Sequence, residues 1–426
     1  MKWSRYNFLF ESDNVYFIYN SLSNSFAELD SETYFQLMKF KENDSVDLSD
    51  EELEKQLISM KVLVEDDRDE LNKIKYQVHK KRFYDKHLGL TINPTLHCNF
   101  ACPYCFEGEH SSVYMTDEVE NDIVEYIKKH SSVKSVHVTW FGGEPLLAFN
   151  RIVSLSNKIK ALGLSYNAGM ITNGYLFNEE NILQLSSLSI QSIQITIDGD
   201  EKLHDSRRCL KSGKGTFKRI VENIELLQSL APEIRLAIRV NIDKTNKDDF
   251  IGVYNFFREK KFPNLIVSPG FVEDISGCNL DDCIFNAQRK VDFLIEMQNK
   301  HGLDFSYFYP SNQRYECPVR NPNTIAIGPR GEIYKCWNDI GNESRIIGNI
   351  NGKIQNESLL IRYLNGADPF EDENCKKCLL LPVCSGGCPF VRLKNEYENK
   401  NMEVCSLIKN NMKEFLLLHY KNKIQK

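Results

Sequence analysis

The 426-residue chain has no run of 18 apolar residues, which excludes a bilayer-spanning helix of ordinary length. Its opening stretch, Met1 to Val15, carries Arg5, Glu11 and Asp13 and lacks the apolar block of a signal peptide. Both absences make the cytoplasm the expected location and leave no membrane partner to expect. A large charge excess is missing too: the net charge is −6, which argues against a nucleic-acid groove across the whole surface. Only a local basic patch around Lys73–Lys86 stays open on that count. No internal repeat and no low-complexity tract is evident.

Cysteine, in contrast, is plentiful at 13. Cytosolic thiols are kept reduced, so a disulfide framework is not expected, and close spacing of cysteines there points to metal. Ten of the 13 fall into two groups. Hydrophobic residues at 42% and charged residues at 26% describe an ordinary globular protein. At this length one core no longer suffices, so two or three domains are expected.

Three segments differ in rhythm. Over residues 1–85, Tyr6–Glu11, Val15–Asn20 and Ser25–Leu29 read as short strands. Helical patterns follow at Ser31–Phe40 and Ser49–Met60, and Lys61–Glu65 could return as a strand. The order suggests a small winged-helix-like α+β module; a decorative extension is the plainer alternative. Over residues 86–309 strands and helices alternate. Leu88–Asn93, Ser135–Phe141, Ala168–Thr172, Ser192–Ile197, Arg235–Asn241 and Leu265–Ser268 are β-rich and apolar. Between them lie helical patterns such as Thr116–His130, where Val119, Ile123, Tyr126 and Ile127 share a face. Six such units predict an α/β fold, a parallel sheet closed part-way into a (β/α)6 barrel, with chemistry at the C-terminal strand ends. Residues 310–426 break the rhythm and are rich in cysteine.

Cys98, Cys102 and Cys105 follow the first of these strands directly. Three thiolates on one loop can hold three irons of a [4Fe–4S] cluster and leave the fourth iron open. A Cys₃His zinc site using His97 or His110 is the alternative. The second strand ends in Gly142-Gly143-Glu144-Pro145, where glycine lets backbone approach a ligand and a carboxylate can accept bonds from an ammonium group. Taken alone, that tetrapeptide could equally be a turn.

The cysteine spacing, with Tyr104 before the last cysteine and Gly142-Gly143-Glu144-Pro145 at this interval, resembles the radical S-adenosylmethionine (SAM) superfamily. Further matches are Thr172-Asn173-Gly174, Thr196-Ile-Asp198-Gly199, His204-Asp205, Arg207-Arg208 and Gly213-Lys-Gly215-Thr216-Phe217. That series is similar to the branch that modifies peptides and sulfatases. The resemblance implies that Tyr104 packs near the cluster and that the backbone at Phe106 approaches the adenine. It implies that Gly142, Gly143 and Glu144 receive the SAM amino group. Thr172 and Asn173 would lie near its carboxylate or ribose, and Arg207 or Arg208 would pair with the carboxylate. Arg239 and Asn241 would reach the ribose side, and Asp198 could be either a contact or structural. No catalytic base is assigned.

Seven cysteines follow: Cys317, Cys336, Cys375, Cys378, Cys384, Cys388 and Cys405. The first two flank a predicted hairpin, Thr324–Ile327 and Glu332–Lys335. One or two zinc sites would also account for the spacing of the rest. The arrangement resembles the SPASM domain, a C-terminal extension that binds two auxiliary [4Fe–4S] clusters. By that resemblance Cys375, Cys378, Cys384 and Cys405 ligate one cluster, and Cys317, Cys336 and Cys388 hold the other. Relatives carry a further cysteine soon after the position of Cys317; Val319–Asn323 supplies none. An open iron would follow, which a substrate thiolate could fill.

Three clusters and SAM are therefore the implied cofactors, with a precursor peptide as substrate and a flavodoxin- or ferredoxin-type reductant. The leader of that peptide would pair with the N-terminal module. Thioether formation is the expected reaction. Sulfatase oxidation to formylglycine comes second and a C–C crosslink third. An iron–sulfur electron carrier or zinc scaffold is the reading of another class. Cys209, Cys278 and Cys283 default to small buried hydrophobes.

Overall fold

The computed structural model describes residues 1–43, 50–105, 107, 111–273, 284–303, 309–311 and 316–424. They form two compact units, one of residues 84–293 with 322–361, the other of 1–83, 294–321 and 362–426.

In the larger unit six parallel strands stand side by side in chain order: His87–Ile92, Ser135–Trp140, Ser165–Thr172, Ile190–Thr196, Arg235–Ile242 and Leu265–Phe271. All six lie where the apolar, β-rich runs predict them. Alternation assigns Leu88, Leu90 and Ile92, Val136, Val138 and Trp140, and Leu236, Ile238 and Val240 to a buried face. The intervening positions include Thr91, His137, Thr139, Gln194, Arg239 and Asn241, all less buried. A parallel sheet is ordinarily apolar on both faces. Polar side chains set the second face apart from the first.

Helices Asp117–Lys129, Phe149–Lys160, Glu179–Gln184, Phe217–Leu230 and Phe250–Glu259 connect the strands. The first is capped by the Thr116 side chain, which accepts from Val119 N, with acids in its first turn and lysines in its last. It buries Val119, Ile123 and Ile127 as its pattern predicts, and also Glu120. The Glu120 carboxylate accepts from Lys158 Nζ at 2.8 Å and Arg151 Nη1 at 3.1 Å, which offsets the burial of its charge.

The predicted hairpin forms as Thr324–Ile327 and Glu332–Tyr334. Its first strand runs parallel to His87–Ile92, pairing Thr324 with Gly89 and Ile327 with Ile92. Short strands Gly348–Asn349 and Lys353–Ile354 extend the same sheet. Residues 322–361 therefore complete the sheet edge through backbone pairing, although their sequence sits beyond the alternating segment.

In the smaller unit, strands Asn7–Ser12, Val15–Asn20 and Ser25–Leu29 make an antiparallel sheet, and Lys2–Trp3 pairs with Leu63–Val64. Helices Ser31–Asn43 and Glu51–Ser59 follow the predicted order, and helix Glu70–Arg82, which the pattern did not predict, comes after them. Phe10, Phe17 and Tyr19 share a core with Leu380, Val383, Met412 and Leu416. Tyr6, Leu22, Ile74 and Val78 pack against Phe370 and Leu381. The N-terminal segment is thus no loose extension; it and the cysteine-rich C-terminal segment bury each other's apolar faces. Charge reinforces the join. Arg82 donates through Nε at 2.7 Å to Glu316 and through Nη1 at 2.6 Å to Asp368, all nearly inaccessible. This buried fork holds the Asp368 carboxyl below its usual range against the opposing effect of desolvation.

Candidate functional site

Strand His87–Ile92 delivers the chain to the cysteine loop, and three backbone contacts then fix that loop. Thr95 bridges Tyr114, and its Oγ1 donates to Val113 O at 2.7 Å. Phe100 bridges Leu210, with Ala101 N donating to Cys209 O and Lys211 N to Asn99 O, each at 3.0 Å. The third contact comes from the glycines. Gly143 N donates to Thr95 O at 3.2 Å and Glu144 N to His97 O at 2.9 Å.

Those bonds explain why glycine stands twice at 142–143. A Cβ on Gly143 would fall 2.4 Å from the carbonyl oxygens of both Leu96 and His97. Gly142 has φ +126°, and a Cβ there would lie 2.5 Å from Thr95 O. The sequence motif predicts close approach to a ligand. What the two glycines demonstrably approach is the backbone that leads into Cys98.

Glu144 is fully buried and accepts three bonds: Thr172 Oγ1 at 2.6 Å, Asn173 N at 2.7 Å and Leu146 N at 2.9 Å. Burial pushes its carboxyl up, against those donors. Asn173 also reaches the cysteine loop, with Nδ2 donating to Asn99 Oδ1 at 2.8 Å. Glu144, Thr172 and Asn173 are therefore one hydrogen-bonded group.

A second group gathers around Asp198, whose side chain is 0% exposed. The Tyr104 hydroxyl donates to its Oδ2, as does Arg207 Nε at 3.2 Å, while Asn241 N donates to Oδ1 at 3.1 Å. The two arginines, alike in sequence, part company here. Arg207 is taken up by Asp198 and by Asp243, 2.8 Å from Nη1, and it stacks 4.9 Å over the Tyr104 ring. Arg208 is buried, donates from Nη1 to the Tyr104 hydroxyl at 2.8 Å and lies over the Phe100 ring. Its Nε has no partner among the described residues. Arg239 donates from Nε to Asn241 Oδ1 at 2.8 Å, and its guanidinium occupies the space that a side chain at 270 would need.

Asp243 and Asn246 belong to this machinery and were not singled out by the motif reading; Asp205, which the motif series includes beside His204, belongs to it too. Asn246 Nδ2 ties Asp198 O to Asn241 O, each at 2.8 Å. Asp205 accepts from Thr216 N and Phe217 N, capping helix Phe217–Leu230. Its carboxylate would lie 2.1 Å from a Cβ on Gly215, which accounts for that glycine in the Gly213–Phe217 series.

Burial pushes the thiols of Cys98 and Cys105 up to about 12 and raises Cys102, whose nearest opposing influence is the Arg208 charge. Buried thiols of this kind become anions only when a cation compensates them, which is what iron supplies. Among the described residues no three His, Cys, Asp or Glu side chains converge on a single-ion site. His97 Nδ1 is bonded to the Tyr114 hydroxyl at 2.8 Å. His110 and Phe106 lie outside the described residues, as do Cys278 and Cys283.

In the smaller unit Cys375, Cys378, Cys384 and Cys405 all line one cavity of about 720 Å³. Cys317 and Cys388 belong to this unit as well, each exposed. Cys336 belongs to the larger unit, where it is buried at the start of the turn Trp337–Asp339.

Residues 92–257 match the family model described as the Radical SAM superfamily. The serine-type anaerobic sulfatase-maturating enzyme of Bacteroides thetaiotaomicron is 32% identical over 174 residues, covering 38% of this chain and 41% of that protein. Native anSMEcpe, solved with bound AdoMet and Cp18Cys peptide, aligns at TM-score 0.59 and 22% identity, over 79% of this chain and 98% of that one. Streptococcus suis SuiB, solved bound to precursor peptide SuiA, aligns at TM-score 0.54 and 18% identity, over 95% of this chain and 99% of the other. At these identities the structures speak for a shared fold, an α/β architecture around a mostly parallel sheet. Family model, loop and sheet agree over residues 92–257, the stretch that matches the radical SAM domain.

Proposed function

We propose that this protein modifies a ribosomally synthesised peptide by radical chemistry, joining a cysteine sulfur to a carbon as a thioether. The observation that carries the radical part is the loop at 98–105, pinned by backbone bonds from 95–97, 143–144 and 209–211. Cys98, Cys102 and Cys105 would hold the [4Fe–4S] group. When bound, that group and SAM supply a 5′-deoxyadenosyl radical able to take hydrogen from a substrate carbon.

The chain's own residues position the cosubstrate. An ionised carboxylate offers about four acceptor sites. Glu144 uses three of them on protein donors and so retains one for an ammonium group. Arg208, with Nε unpartnered among the described residues and Arg207 already committed, is the better placed of the pair for a carboxylate. Asp198 fixes Tyr104 against both arginines, and Arg239 and Asn241 fill the ribose side.

Cys375, Cys378, Cys384 and Cys405 are proposed as ligands of one auxiliary cluster. Cys317, Cys336 and Cys388 are assigned to the other, with a substrate thiolate as the missing ligand. The full architecture proposed is a partial (β/α)6 barrel over 86–309, a winged-helix-like module over 1–85 and a SPASM region over 310–426. The edge strands of the sheet at 7–29 offer backbone for a peptide leader. The reach of the likeness supports a peptide substrate. It extends over 95% of this chain for the enzyme solved with a precursor peptide and over 79% for anSMEcpe. A flavodoxin- or ferredoxin-type protein is the proposed reductant and the cytoplasm the proposed location. Among the described residues no helix is long and apolar enough to cross a membrane.

Formylglycine formation on a sulfatase is the second reading, favoured by the named Bacteroides relative. Mass spectrometry separates the two. A short cysteine-containing peptide encoded beside the gene should, with SAM and strong reductant, lose two hydrogens and become resistant to thiol alkylation. An aldehyde trapped by hydrazine on a sulfatase peptide would establish the second reading instead. No change in either peptide contradicts both.

A further inference from the structure

Two cations place nitrogen on the sulfurs of the four-cysteine cavity. Arg392 Nη2 is 2.6 Å from Cys375 Sγ, and Lys409 Nζ is 3.2 Å from Cys405 Sγ. Their surroundings differ. Lys409 is exposed. The Arg392 side chain is only 10% exposed and is held by two further bonds, Nη1 to Asp372 Oδ2 at 3.1 Å and Nε to Gly386 O at 2.5 Å. Asp372 in turn caps helix Glu373–Lys377, accepting from Asn374 N and from Cys375 N itself. Cap, guanidinium and thiol thus form one closed set of bonds, with Nη2 left to face the sulfur.

We propose that Arg392 raises the reduction potential of the iron–sulfur cluster held by Cys375, Cys378, Cys384 and Cys405, by donating a charge-assisted hydrogen bond to the Cys375 sulfur. This rests on the reading of those four cysteines as cluster ligands. Reduction adds negative charge to such a cluster, and hydrogen bonds to its sulfurs and nearby net charge set its potential. A buried, immobilised cation acts more strongly than an exposed one, because solvent and salt screen the latter.

The test uses the full chain with Cys98, Cys102 and Cys105 changed to alanine, leaving only the auxiliary sites. Iron per chain is counted, and each cluster's midpoint is followed by potentiometric electron paramagnetic resonance. Arg392→Gln should keep its iron and lower one midpoint. The reduced-to-oxidised ratio at the original midpoint then falls about tenfold, ~59 mV for a one-electron couple. The other midpoint stays put. Arg392→Lys should shift the same midpoint less, and Lys409→Gln hardly at all. An unchanged midpoint in Arg392→Gln, or an equal shift in Lys409→Gln, overturns the inference. If Arg392→Gln loses iron, an unchanged midpoint in Arg392→Lys overturns it equally. The underlying reading fails separately: a Cys375→Ala, Cys378→Ala chain that keeps all its iron has no cluster in this cavity.

Discussion

Replacing Cys102 by alanine should reduce 5′-deoxyadenosine formation from SAM to below detection while leaving the rest of the iron in place. Cys102 sits between the two ends of the pinned loop. Ala101 N binds Cys209 O on one side, and Cys105 N binds Cys102 O on the other. The loop backbone is therefore set by contacts the substitution does not touch, and the change falls on the thiolate alone. Three clusters would bring about twelve irons, of which about four should be lost with this ligand. Iron analysis beside the nucleoside assay checks both halves. Undiminished SAM cleavage in this variant would contradict the assignment.

The second large effect is expected at Asp198. Its carboxylate is inaccessible and receives the Tyr104 hydroxyl, the Arg207 guanidinium and a backbone N–H. Removing one member of a buried ion pair typically costs about 3–5 kcal/mol, because the partner stays buried and uncompensated. Arg207 keeps Asp243, which places Asp198→Ala near the lower end, about 3 kcal/mol. Denaturation of the metal-free variant against the parent reads this directly. Asp198→Asn, which keeps an acceptor, should lose less. SAM cleavage should fall in both, since Tyr104 and Arg208 lose the group that aligns them. A stability change under about 1 kcal/mol for Asp198→Ala would mean that the carboxylate is not the hub of this network.

How far these contacts could be read in advance varied with their range. Strand alternation and helical periodicity are local, so all six parallel strands and the N-terminal elements up to residue 65 were legible, while helix Glu70–Arg82 was not. The joining of the N-terminal and C-terminal segments was not. Phe10, Phe17 and Tyr19 look like any half-buried strand face until Leu380, Val383 and Leu416 are known to cover them. The edge strand Thr324–Ile327 was predicted as a hairpin arm. Its parallel pairing with His87–Ile92 depends on a partner more than two hundred residues away, which no local pattern encodes.

The site divides in the same manner. Cysteine spacing located the loop because ligand chemistry imposes it on contiguous sequence. A glycine announces that something comes close, without saying what. Gly142 and Gly143 proved to face the backbone of Thr95–His97. Arg207 and Arg208 are adjacent and chemically identical, and only tertiary contacts separate the one spent on Asp198 and Asp243 from the one whose Nε meets no acceptor among the described residues.

The most direct measurement is metal analysis of anaerobically purified wild-type chain, joined to a SAM-cleavage assay under strong reductant. Iron and sulfide in near-equal amounts, with 5′-deoxyadenosine accumulating, is the expected result. Zinc bound at Cys98, Cys102 and Cys105, with no 5′-deoxyadenosine released, would contradict it.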